Sequence, residues 1–272
     1  MKELFSLKDK IAVITGGLGQ LGQQFSIALA EYGAQIAVLD LVNEKEVNKN
    51  ERFSYFQQKD QIKCFKVDIT NRKEVENILS EIKAKFGSPN ILVNNAALDS
   101  PPDSPASENG PFEDYPEASL DKILNVNIKG TFICCQVFGG EMAEKKGGSI
   151  INISSIYGIL SPNQDIYEFK RKNGEKWFKP VAYAVSKSGV LNLTRYLATY
   201  WSKKGVRVNT LTPAGIFNDQ GEEFLSEYLK RMPIGRMANE NEMNGAVIFL
   251  ASEASSYMTG SNLVVDGGWS AW

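Results

Sequence analysis

Two tyrosines carry a base four residues downstream: Tyr167 with Arg171, and Tyr183 with Lys187. Positions i and i+4 share a helix face, so each base can lie beside its phenol. A free phenol, with a pKa of about 10, is a poor base at neutral pH. A neighbouring cation stabilises the phenolate and lowers that value. Such a pair can move the proton that accompanies hydride transfer to or from an alcohol carbon. Arginine keeps its proton, and its planar fork does not replace a lysine point charge. A long apolar-periodic helix follows Lys187, with Val190, Leu193 and Leu197 at helical spacing, whereas none is evident after Arg171. Tyr183 and Lys187 are the favoured pair, although either pair alone also fits an ordinary helix surface.

The chain has 272 residues and no histidine. Histidine triads, His-ligated zinc and imidazole proton carriers are therefore excluded. Cys64, Cys134 and Cys135 lack metal-ligand spacing and read as reduced thiols of a cytoplasmic protein, with no metal site. The net charge of −2 provides no basic field for nucleic acid. No apolar run reaches membrane-spanning length, and MKELFSLKDK lacks a signal-peptide core.

Short apolar runs ending at Thr15, Asp40, Asp68, Asn95, Ser154, Pro213 and Asp266 alternate with helical patterns. These predict seven strands in a mostly parallel sheet covered on both faces, a doubly wound α/β Rossmann fold. No linker divides the chain, so residues 1–272 are expected to form a single domain. It carries loop insertions near 98–118, 161–180 and 216–236.

TGGLGQLG, Thr15 to Gly22, follows the first strand. Its glycines let backbone approach a pyrophosphate at a helix N-terminus, although a glycine cluster alone also fits a plain turn. Asp40 ends the second strand, 18 residues after Gly22. A carboxylate there accepts the adenosine ribose hydroxyls and repels a 2′-phosphate. No Arg or Lys stands in the loop or at Leu41-Val42, so NAD is favoured over NADP.

With these come VDIT at Asp68, NNAA at Asn94, NVNIKG around Asn127, NISS ending at Ser155, YAVSK at Tyr183, TPAG at Thr212 and a terminal VDGG. In this order the motifs resemble the short-chain dehydrogenase/reductase family over nearly the whole chain. Two positions depart from its pattern: Gln20 stands at the middle glycine of the usual loop, with Gly19 before it, and Ala97 ends NNAA. The resemblance implies catalytic roles for Asn127, Ser155, Tyr183 and Lys187. Tyr183 is the acid/base, Lys187 also binds the nicotinamide ribose, Ser155 holds the reacting oxygen, and Asn127 holds a water that links the lysine to solvent. It implies cofactor contacts at Gly16, Gly19, Gln20, Leu21, Asp40, Asp68, Ile69, Asn95, Ala96, Tyr183, Lys187, Pro213 and Ile216. It also implies a homo-oligomer, tetramer or dimer. The chain looks most similar to bacterial sugar and sugar-acid dehydrogenases. KPVAYAVSKSG, LTRYLATYW and LTPAGIFN further resemble oxidoreductases of legionaminic-acid and flagellin-glycan synthesis.

The insertion Ser161 to Pro180 carries five bases against three acids, with four aromatics. This composition suits an anionic or carbohydrate ligand, so Ser155, Tyr167, Lys170, Arg171 and Trp177 are candidate substrate contacts. A subunit contact or a solvated loop fits as well. Asp99, Asp103 and Asp114 stand in the other insertion and could wall the pocket or be solvated. The expected activity is alcohol–ketone interconversion on a sugar, sugar acid, or phosphorylated or nucleotide sugar. A nucleotide-sugar epimerase or dehydratase and a non-catalytic NAD-binding scaffold are the alternatives.

Overall fold

The computed structural model describes residues 2–99 and 106–272. The five-residue run Ile11–Thr15 (β1) is buried along its whole length, because both faces of the sheet are covered there. The other strands are Gln35–Asp40 (β2), Ile62–Lys66 (β3), Ile91–Asn94 (β4), Gly148–Ile153 (β5), Val206–Pro213 (β6) and Asn262–Val265 (β7). All seven are parallel, in the order β3-β2-β1-β4-β5-β6-β7.

Successive strand residues face opposite sides. Ala12, Ile14, Ile36 and Val38 pack with Phe25 and Leu29 of α1 (Gln20–Glu31), Phe53 of α2 (Glu51–Gln58) and Val247 of α11 (Asn244–Ala251). Val13, Ala37 and Leu39 face the other way, against Val75, Ile78 and Ile82 of α3 (Arg72–Lys85) and Leu197 and Trp201 of α9 (Val181–Trp201). The sequence reading overlooked α2. Its eight residues are too few for a periodic signal, but Asn50 caps it and Phe53 and Phe56 bury its inner face.

The chain from 117 to 144 runs as α4 (Glu117–Leu124), α5 (Thr131–Cys134) and α6 (Gly140–Glu144), joined by π turns at Asn125–Gly130 and Cys135–Gly139. Helix α11 begins at Asn244. The preceding turn is held by Glu242, which accepts from Asn239 N (2.7 Å) and from the Arg236 guanidinium.

The 161–180 insertion folds inward. It follows α7 (Ile156–Ile159), contains α8 (Glu168–Lys172) and contributes Tyr167 and Trp177 to an aromatic layer with Tyr157, Trp269, and Phe224 and Tyr228 of α10 (Glu222–Leu229). Tyr167 lies 4.2 Å from Trp177 and 5.8 Å from Phe224, centroid to centroid. Hydrophobic burial, worth roughly 1.5–3 kcal/mol for each large side chain, thus fastens the insertion to α10. Truncation of Trp177 to Ala is expected to destabilise the protein by ~3–5 kcal/mol and to expose the insertion to limited proteolysis. Denaturant unfolding with mapping of the cleavage sites checks both.

Candidate active site

The strand ends and their loops meet around a cavity of about 820 Å³. Its wall includes Gln20, Leu21, Asn95, Ser155, Tyr183, Lys187, Pro213 and Ile216. The first turn of α9 presents Tyr183 there, because Pro180 ends an extended segment and the helix starts at Val181.

Lys187 is buried, and its Nζ donates to Ile153 O at the end of β5 (2.8 Å). The ammonium lies 5.7 Å from the Tyr183 ring centroid. Burial lowers its pKa from the usual lysine value to about 8, partly opposed by the Asp99 carboxylate. Tyr183 is pushed up, first by burial and then by the Asp99 charge, while a hydrogen bond from Ser155 acts downward. Ser155 caps α7, its Oγ accepting from Tyr157 N (3.2 Å). Ser154 faces the other way, and its Oγ donates to Lys187 O (2.9 Å).

Asn127 sits in the first π turn, buried. Its amide donates to Leu98 O (3.0 Å) and Ser186 Oγ (2.9 Å), and its Oδ1 accepts from Leu98 N (2.8 Å). The side chain therefore clamps the loop after β4 to the helix that bears Tyr183.

The glycine loop is tightly folded. Gly16 has φ +60°, and a Cβ there would lie 2.8 Å from Ala96 Cα; one on Gly22 would lie 2.2 Å from Gly16 O. Asn95 Nδ2 donates to Thr15 O (3.1 Å) and Gly16 O (3.0 Å), while Thr15 Oγ1 accepts from Asn95 N and Ala96 N. The Asp40 carboxylate accepts from Leu18 N (3.0 Å) and Val42 N (3.1 Å), which orients it beside the loop. Gly19 precedes α1 as its N-cap. Asp68 accepts from Thr70 N and Oγ1 (both 2.8 Å), and Ile69 packs against Gly130. A helix N-terminus with close backbone approach and an oriented carboxylate fits a dinucleotide.

Gln20, at the position of the missing glycine, uses its Nε2 to donate to Phe217 O (2.8 Å). The nucleotide loop is thereby tied to the 216–236 segment. That segment is held from its other side by the Tyr228 hydroxyl, which accepts from Gly215 N (2.9 Å).

The insertion departs from its sequence-based reading. Tyr167 and Lys170 reach the cavity wall, but Tyr167 is almost wholly buried and shares a hydrogen bond with Tyr157. Burial raises the Tyr167 hydroxyl, and its i+4 partner Arg171 is turned away to donate to Trp177 O (3.1 Å) and Gln164 O (2.9 Å). Trp177, expected to contact substrate, is 1% exposed in the aromatic layer and does not line the cavity. Arg171 and Trp177 are corrected from substrate contacts to internal braces: burying the ring and pairing the guanidinium with carbonyls is what lets a polar insertion pack inward. Asp114 is exposed on a short helical turn, and Asp103 lies outside the described residues.

Lys179 and Asp99 do reach the cavity, paired at 2.8 Å. Lys179 Nζ lies 5.3 Å from the Tyr183 ring centroid. The sequence signal for Lys179 is its place directly before Pro180, where an extended backbone must lie at the start of α9. Among the described residues no cluster of three or more His, Cys, Asp or Glu could hold a metal ion, and no helix is long and apolar enough to cross a membrane.

The family model described as "Enoyl-(Acyl carrier protein) reductase", of the short-chain alcohol dehydrogenase type, matches residues 19–270. The chain belongs to the short-chain dehydrogenase/reductase family. It is 31% identical to D-threitol dehydrogenase of Mycolicibacterium smegmatis, over 97% of this chain and 94% of that one. It is 32% identical to 2-dehydro-3-deoxy-D-gluconate 5-dehydrogenase of Pseudoalteromonas atlantica, over 99% of both. A Leptospira borgpetersenii short-chain dehydrogenase solved with bound NAD+ is 33% identical, with a TM-score of 0.81 over 96% of this chain and 93% of that one.

Replacing Tyr183 by Phe is expected to lower turnover at least ~10²-fold with NAD affinity retained, whereas Tyr167→Phe leaves the chemical step within a few fold. Single-turnover rates and NAD titration separate the two. Lys187 has a folded pKa below its unfolded value, so its burial penalty is full below about pH 8 and lifts as pH rises toward 10.5. The shift corresponds to roughly 3 kcal/mol. The stability of wild type relative to Lys187→Met should therefore rise between pH 8 and 10, read by urea unfolding at each pH.

Proposed function

We propose that the chain is an NAD-dependent oxidoreductase that interconverts a secondary alcohol and a ketone on a sugar or polyol. The observation that carries this reading is the convergence of Tyr183, Lys187 and Ser155 on one cavity beside the glycine loop. In the oxidative direction Tyr183 takes the hydroxyl proton while Ser155 donates a hydrogen bond to the reacting oxygen. In the reductive direction the raised pKa of Tyr183 keeps it protonated as the donor. Lys187 favours the phenolate and holds the nicotinamide ribose, and Asn127 keeps their helix in register with β4. When bound, NAD supplies the hydride acceptor. The glycine loop and the N-terminus of α1 hold its pyrophosphate, Asp40 its adenosine ribose, and Asp68, Ile69, Asn95 and Ala96 the adenine side. Pro213 and Ile216 meet the nicotinamide end, with Gln20 and Leu21 beside the phosphates.

Ala97 and Asp99 after β4, with residues of the 161–180 and 216–236 segments, wall the substrate space. Neutral and acidic sugar relatives at similar identity support the carbohydrate class and leave its charge open. Val185, Tyr196 and Tyr200 are exposed along α9, which supports assembly through that helix into a dimer or tetramer. The buried free thiols Cys134 and Cys135 fit a cytoplasmic protein.

NADH formation from a panel of alditols, aldonates and sugar phosphates tests the activity, and its absence across the panel would refute it. Asp40→Ala is expected to weaken NAD binding about tenfold, the loss of roughly 1.5 kcal/mol of charge-assisted hydrogen bonding, with a smaller change for NADP. Isothermal titration with both dinucleotides measures the difference.

A further inference from the structure

We propose that Lys179 and Asp99 form the substrate-selecting element of this site, and that the pair selects a neutral polyhydroxy compound over a carboxylate or phosphate. The inference rests on the oxidoreductase reading above and specifies its substrate class.

The two side chains come from different insertions and meet at 2.8 Å within the cavity that Tyr183 and Ser155 line. The Lys179 side chain is 5% exposed and the Asp99 side chain 54% exposed, so the ammonium forms the inner part of the pair and the carboxylate the outer. The Lys179 ammonium stands 5.3 Å from the Tyr183 ring centroid, close to where the reacting carbon must bind. Its position is built rather than incidental. Gln164 clamps the Lys179 backbone from both sides, its Oε1 accepting from Lys179 N (2.8 Å) and its Nε2 donating to Lys179 O (3.1 Å). Arg171 in turn braces Gln164 O and Trp177 O.

An ammonium donates hydrogen bonds and a carboxylate accepts them. Side by side they match a hydroxyl, which does both, and two neighbouring hydroxyls better still. A substrate carboxylate or phosphate only accepts, and at Lys179 it would stand against the Asp99 charge. The rest of the wall agrees. Lys170 has Glu175 at 3.9 Å, Lys187 donates to Ile153 O, and among the described residues three lining lysines stand with three lining carboxylates, Asp99, Asp219 and Glu223. The basic composition of the 161–180 insertion therefore does not become a positive pocket. The charge of Asp99 also reaches both Tyr183 and Lys187, consistent with its place over the reacting centre.

The test compares kcat/KM for threitol and arabinitol with that for gluconate and glucose 6-phosphate, in wild type and in Asp99→Asn, Lys179→Met and Lys179→Gln. NAD affinity serves as the check on folding. Wild type should prefer the alditols. Asp99→Asn removes the negative charge that lies against the ammonium and should move the gluconate-to-alditol ratio at least ~10-fold toward gluconate. Lys179→Met should raise alditol KM about tenfold with a smaller fall in kcat, and Lys179→Gln, which keeps a donor and an acceptor, should restore much of that loss. Should Asp99→Asn lose NAD binding, the two Lys179 variants give the same reading independently. Wild-type preference for gluconate or the phosphate, an unmoved ratio in a folded Asp99→Asn, or equal KM in Lys179→Met and wild type would each overturn the assignment alone. No NADH from any of these compounds, or full turnover in Tyr183→Phe, would instead overturn the underlying oxidoreductase reading.

Discussion

A lysine ammonium placed inside a protein loses its hydration, and at Lys187 this loss organises the surroundings. The charge is tolerable because Ile153 O accepts from it at the end of β5. Position then has to be held closely, since a small drift would leave the ammonium unpaired. Ser154 bonds the Lys187 carbonyl, and Gly158 lets α7 approach, because a Cβ there would lie 2.8 Å from Lys187 O. One residue earlier, Asn127 fixes Ser186 to the loop after β4. The strand ends, the π turn and α9 thus converge on one buried cation, and Tyr183 is positioned as a consequence.

The same economy governs the insertion between Ser155 and Tyr183. A segment with five bases is soluble by composition, yet it packs inward. Arg171 turns to carbonyls, Lys170 and Lys179 meet carboxylates, and Tyr167 and Trp177 enter the aromatic layer against α10. Each buried polar group is matched locally, so the layer acts as a wall rather than a loose loop. Trp177 Nε1 is the exception, buried with no hydrogen-bond partner among the described residues.

Gln20 links two parts that are usually considered separately. A glycine at the helix start leaves room for phosphate, whereas a glutamine there also reaches across to Phe217 O. The dinucleotide loop and the wall of the substrate space share a hydrogen bond as a result.

The sequence by itself determined the alternation of strands and helices, the glycine loop with Asp40, the family and the Tyr183–Lys187 pair. These are legible because each depends on local spacing: a period, a turn, or an i+4 face. Even the rejection of Tyr167 followed from the missing helix after Arg171. Its tight burial was not legible, since Phe224, its stacking partner, is far along the chain. The eight-residue α2 was overlooked because two buried rings make too short a pattern. Only the tertiary structure decided which charges face the cavity. A lysine in a basic run looks like an anion site until its partner is known. Lys179 pairs with Asp99, 80 residues away, which stands just after the neighbouring strand β4. Charge compensation across that distance is a property of the fold, because Coulomb attraction depends on separation in space and not along the chain.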